Sequence, residues 1–130
     1  LGVIGLLALA GCEPLTSNEL GHEAGVIHST AAEGALLADG VVQSDTLSSY
    51  VRAHATELAS AADTSARKLH DGTVPPGLRQ ATEHAIGIAT RTSSALGDLE
   101  LSPNNPELAA KLESKLKRLA AEATALENSL

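Results

Sequence analysis

From residue 17 to residue 130 the apolar residues recur at alternating steps of three and four, in four stretches of similar length separated by short breaks. That period belongs to helices with one buried face. The first stretch, 17–39, puts Leu20, Ala24, Ile27, Ala31, Gly34 and Ala38 on one side. The second, 46–70, lines up Leu47, Val51, His54, Leu58, Ala61, Ser65 and Leu69. Asp45 stands where an N-cap is wanted, and Gly72 where a left-handed terminator would end the helix. The third, 76–99, opens at Pro75-Pro76 and keeps Leu78, Ala81, Ala85, Ile88, Thr92, Ala95 and Leu99 in register. The fourth, 106–128, has Asn105 as cap, Pro106 at the first helical position and Glu107 beside the positive end of the helix dipole. Leu108, Leu112, Leu116, Leu119, Ala123 and Leu126 form its seam, and Glu107–Lys111 and Glu113–Lys117 are four apart in the favoured order.

Rods of about 35 Å at 1.5 Å per residue, joined by short connections, favour antiparallel neighbours. The expectation is an all-α domain, a monomeric up-down-up-down four-helix bundle over 17–130 with its first and last helices adjacent. Acidic residues crowd the first helix and basic ones the fourth, which suits that closure. A long trimeric coiled coil is the competing architecture. Three breaks, two of them containing proline, count against it.

Composition narrows the packing and the partners. Phe, Trp and Met are absent and Tyr50 is the only aromatic residue, so the core must be built from Ala, Leu, Ile and Val. Such a core suits closely approaching helices and not a β-sandwich. The net charge is −7, and no Lys or Arg precedes Arg52. An acidic chain with no basic stripe and no stacking aromatics is a poor ligand for nucleic acid or for an anionic lipid surface.

Residues 1–11, LGVIGLLALAG, are uncharged and apolar, and Cys12, the only cysteine, follows directly. The run is far short of the roughly 20 residues that span a bilayer, but it has the length of a signal-peptide hydrophobic region. Leu9-Ala10-Gly11-Cys12, followed by the polar Glu13, resembles the lipobox of bacterial lipoproteins. The resemblance implies cleavage between Gly11 and Cys12, lipid on the Cys12 thiol, and export to the cell envelope, facing the periplasm or the exterior. It also implies a basic segment and an initiating Met ahead of Leu1. Two or three acyl chains, at about 0.8 kcal/mol per buried methylene, anchor stably where one does not. Residues 12–16 then form the lipidated Cys and a tether, and a thiol consumed by lipid leaves no disulfide.

Chemistry-bearing patterns are sparse. Glu19 and His22 form one Glu-x-x-His pair, where ferritin-like di-metal bundles need two such pairs on different helices. One cysteine and no methionine exclude Cys-x-x-Cys-His haem attachment, His/Met ligation and Met-rich copper handling. No Gly-x-Ser-x-Gly elbow occurs. His70-Asp71 reads as dipole complementarity at a helix end, and His28 and His84 as partly exposed flank residues. His54, about twenty residues before Pro75-Pro76, is similar to a pattern in exported ferritin-like helical domains of unassigned role, although Ala53 stands where that pattern has an acidic residue. His54 is also the one titratable side chain on an apolar seam. It is expected to turn inward, with Glu23, Glu33 or Thr92 as its mate, fixing helix register or contacting a ligand.

The sequence thus reads as a lipid-anchored envelope bundle that is not an enzyme. It carries no assigned cofactor or metal, is held to the membrane through Cys12, and docks an envelope protein. The alternative is a periplasmic module holding a metal or small ligand between helices through His54.

Overall fold

A computed structural model describes residues 13–130. The signal-like segment 1–11, its cleavage point and Cys12 lie outside the described residues. Four α-helices follow one another, α1 (Ser17–Val42), α2 (Ser48–Asp71), α3 (Arg79–Leu101) and α4 (Pro106–Ser129), with a 3₁₀ turn at Pro76–Leu78. The domain is an all-α four-helix bundle, as the seams require.

Local chemistry explains where each helix starts and stops. Thr16 caps α1 reciprocally with Glu19: its hydroxyl accepts from the Glu19 amide at 3.2 Å, and Glu19 Oε2 accepts from the Thr16 amide at 2.8 Å. α1 continues past the expected end at 39 because Val41, 4% exposed, still buries its side chain. The turn into α2 then needs a left-handed Ser44, at φ 58°, and a close return of the chain over Gly40, where any Cβ would strike Thr46. Asp45 belongs to this turn, its amide donating to the Gly40 carbonyl at 3.0 Å, and it does not cap α2. Leu47 holds the cap position without a side-chain bond. Gly72 also departs from expectation: at φ −76°, ψ 158° the chain leaves α2 extended, not left-handed. Proline at 75 and 76 sets a 3₁₀ turn before α3, which begins three residues later than its periodicity suggests. α4 starts as expected, Asn105 Oδ1 accepting from the Leu108 amide at 3.1 Å with Pro106 following.

Neighbouring helices run antiparallel. Along α1, Gly21, Gly25, His28 and Gly34 meet Leu130, Glu127, Ala120 and Leu116 of α4 in descending order. Glu23 of α1 meets Ser65 and Lys68 near the end of α2, and the Leu15 amide donates to the Thr73 carbonyl at 2.8 Å, tying the segment before α1 to the α2–α3 connection. α1 with α4 and α2 with α3 are the tightest pairs, and α1 also approaches α3 across the centre. Small residues permit this. Ala24, Ala31, Ala35 and Ala38 of α1 and Ala109, Ala120 and Ala123 of α4 are all buried. Close approach, not ion pairing, closes the seam. Among the described residues no salt bridge joins α1 to α4, and Glu23 turns to Lys68 of α2 at 3.4 Å.

Candidate docking surface

The end of the bundle that carries the α1–α2 and α3–α4 connections is unusually apolar on its outside. Leu36, Leu47, Tyr50 and Leu101 are 73%, 76%, 56% and 81% exposed, and all lie in the half of the bundle remote from Glu13. Leu36 has this position for a helical reason. Leu37 and Ala38 point inward, and a residue one step earlier is turned by about 100° toward water.

Leu36 stands as a ridge between two grooves. On its α4 side is a groove of about 510 Å³ floored by Ala32, Ala35, Ala120 and Ala121. His28 closes one end of it, and Asp39, Glu113 and Lys117 the other. On its α2 side a smaller groove of about 270 Å³ is walled by Glu33, Thr46, Tyr50 and His54. Glu113 accepts a hydrogen bond from Lys117, which pushes the Lys117 pKa up and neutralises the pair. Glu33 and Asp39 form no ion pair within 4.0 Å among the described residues. The one nearby cation among them, Lys117, is held by Glu113, with Asp39 adding to its pKa rise, so the rim is net acidic.

His54 is not the inward seam residue that its spacing suggests. Its side chain is 32% exposed, its ring stacks on Tyr50 with centroids 5.5 Å apart, and Nδ1 lies 3.6 Å from Glu57 Oε2. The inner position belongs to Ala55, fully buried, because the face of α2 that meets α3 runs through Val51, Ala55, Leu58 and Ala62. Two of the expected mates for His54 are occupied elsewhere. Thr92 donates to the Ile88 carbonyl at 2.8 Å, and Glu23, 9% exposed, accepts from Ser65 Oγ at 2.9 Å and from Lys68. Glu33 alone shares a groove with His54.

The buried Glu23–Ser65 bond is the interhelical polar contact that the spacing assigned to His54. Ser65 on an apolar seam was the visible signal for it. His28 is anchored as well: Nδ1 donates to the Ala120 carbonyl at 3.0 Å, with Thr124 Oγ1 at 2.9 Å, so it fixes α1 against α4. His84 lies 3.5 Å from Glu122, which also takes both terminal nitrogens of Arg91. The Arg91 hydrogen bonds hold the Glu122 carboxyl below its ordinary pKa. Glu19 serves the α1 cap, and His22 is exposed beside it. Among the described residues no group of three or more His, Asp or Glu side chains is placed to share a metal ion. No helix there is long and apolar enough to cross a membrane.

Comparison with known proteins gives no match to a family model, a curated protein or a solved structure.

Proposed function

We propose that the protein is a non-catalytic interaction module of the bacterial cell envelope, tethered by lipid on Cys12 and docking a protein partner across the Leu36–Tyr50 ridge. The observation that carries the reading is the exposure of Leu36 between two grooves, at the end of the bundle where Leu47, Tyr50 and Leu101 are exposed as well. Covering that one side chain contributes about 2 kcal/mol. The acidic rim selects the partner's chemistry: an apolar centre flanked by Lys or Arg. A second copy of the chain would bring its own Glu33 and Asp39 against these and is disfavoured. The tether supports the same reading, since Leu36 lies 19 residues beyond Ser17 along α1, about 28 Å from the anchored end.

Two experiments test the proposal. Cys12→Ser should leave the precursor uncut and unlabelled by fatty acid; a variant still cut before position 12 and still membrane-bound refutes the anchor. A photo-crosslinking residue at position 36 or 50 should give one discrete adduct in membranes, lost on Leu36→Glu and weakened by salt. The peptide joined to it should be apolar with flanking Lys or Arg. Equal labelling from position 80, at the other end of the bundle, or an adduct of two copies of the chain, refutes the docking surface.

A further inference from the structure

Thr82 breaks a rule that five of the other six helical threonines obey, the sixth, Thr124, having His28 as its partner instead. Thr30, Thr56, Thr64, Thr90 and Thr92 each donate their hydroxyl to the carbonyl four residues back, at 2.8–2.9 Å. Thr82, 2% exposed, makes no such bond, and its hydroxyl is the one buried side-chain polar atom among the described residues without a partner. Four residues back is Leu78, at φ −107°, ψ 0°, where the 3₁₀ turn gives way to α3 and the backbone departs from helical values. A buried hydroxyl left unpaired is costly, so its surroundings bear on what it serves.

Thr82 lines an open cleft of about 270 Å³ at the corner between α2 and α3. Arg79, Thr82, Glu83 and Ile86 line it from α3, at spacings that make one helical stripe. Leu69, Gly72 and Val74 line the opposite side together with His70, whose ring is engaged by Asp71 at 3.2 Å. Arg79 and Glu83 are four apart, yet among the described residues neither forms an ion pair with the other or with any other group. The cleft therefore carries a guanidinium and a carboxylate without an ion-pair partner, with the buried, unpaired Thr82 hydroxyl beneath them on the same stripe, opposite a wall that is apolar except for His70.

We infer that this cleft binds a small zwitterion with a short apolar tail, its anionic group on Arg79, its ammonium on Glu83, and a hydrogen bond to the Thr82 hydroxyl. A planar guanidinium pairs a carboxylate or phosphate through two parallel bonds, and the carboxylate of Glu83 accepts from the ammonium. The volume suits a ligand of amino-acid size. A free branched aliphatic amino acid has all of this chemistry; an ethanolamine phospholipid headgroup shares the paired charges but has no short apolar tail.

The test is a titration of the purified protein with L-leucine and, separately, with glycerophosphoethanolamine, followed by amide shifts in ¹⁵N spectra. Isovalerate and isoamylamine, which carry one charge each, are the comparators. Saturable shifts at Thr82 and Glu83 are expected with one of the zwitterions, at least tenfold tighter than with either comparator. Leucine would identify a free amino acid as the source, and glycerophosphoethanolamine a lipid headgroup. Arg79→Gln and Glu83→Gln, both on the surface, should each weaken that binding at least tenfold with the fold intact. Thr82→Val keeps the shape of the side chain and removes the hydroxyl. It should raise the unfolding temperature of the free protein by a few degrees and abolish the stabilisation that added zwitterion gives the unaltered chain. Absence of zwitterion-dependent shifts, binding as tight for a singly charged comparator, or stabilisation that persists in Thr82→Val overturns the inference.

Discussion

Gly34→Ala measures how close α1, α3 and α4 come. A Cβ built on Gly34 would lie 2.7 Å from Leu96 Cδ2 and 3.2 Å from Leu116 Cδ1. Both leucines are fully buried, so neither methyl can swing into water. The substitution has two opposed effects. Replacing Gly by Ala within a helix stabilises by about 0.8–1 kcal/mol, and forcing a methyl into a packed interior costs about 1–3 kcal/mol. The net expectation is a loss of roughly 1 kcal/mol. Gly87 and Gly97, both within α3, separate the two effects because nothing lies within 4 Å of a Cβ at either position. Gly87→Ala and Gly97→Ala should therefore each stabilise by about 0.5–1 kcal/mol. Urea unfolding followed by helical circular dichroism reads all three, with the midpoint moving down for position 34 and up for the other two at unchanged slope. The cause can be isolated by repeating Gly34→Ala in a Leu96→Ala background, where the nearer methyl is gone and the added Cβ should stabilise. If Gly34→Ala stabilised as much as the α3 controls, the close convergence of the three helices would be wrong.

Three further measurements probe the polar contacts. Glu23→Ala leaves Ser65 and Lys68 without their acceptor and should cost about 1–3 kcal/mol in urea unfolding, whereas Glu23→Gln, which still accepts, should cost less. His54→Leu should change stability by less than about 0.5 kcal/mol, as at a surface site; a loss of several times that would restore the inward-facing histidine. Glu122→Gln should lower stability at neutral pH by at most about 1 kcal/mol, because the contact with Arg91 is partly exposed and screened. Since the Glu122 pKa is depressed in the fold, that contribution is present above the ordinary value of 4.5 and lost as pH falls through the depressed one. The variant and the unaltered protein should converge in acid.

The fold was legible because helical spacing and caps are local. Every residue assigned to the α1 seam is buried, and the Asn105-Pro106 start of α4 stands where the sequence puts it. Errors fall where tertiary contact decides. Leu47 and His54 satisfy the α2 period yet lie outside, because the tight α2–α3 pairing turns α2 so that Ala55 and Ala62 face inward. Alanine carries little hydrophobic signal, so the α2 seam read from spacing takes in His54 and Ala61 where the buried positions are their neighbours Ala55 and Ala62. Val51, Leu58, Ser65 and Leu69 are buried as assigned. The adjacency of α1 and α4 was anticipated from charge, but their buried alanines and Gly34 hold them together. Nothing local marks Leu36 as exposed or Thr82 as unpaired. The first depends on which flank of α1 is left uncovered, and the second on a backbone distortion at Leu78.

The same choice of residues that closes the bundle shapes its outside. Because α1 and α4 meet through alanine and glycine, their axes come close, and little side chain remains at the edges of the seam to fill the surface above it. Ala32 and Ala121 at that edge leave the groove beside Leu36. A leucine at either position would cover more of α1 and would flatten the ridge. Ala31, Ala35, Ala120 and Ala123 are buried, whereas Ala32 is half-buried and Ala121 exposed. Small side chains at the buried positions are a packing necessity. At Ala32 and Ala121 they instead give the exposed Leu36 its relief, on which the proposed docking of an apolar surface with a basic rim depends.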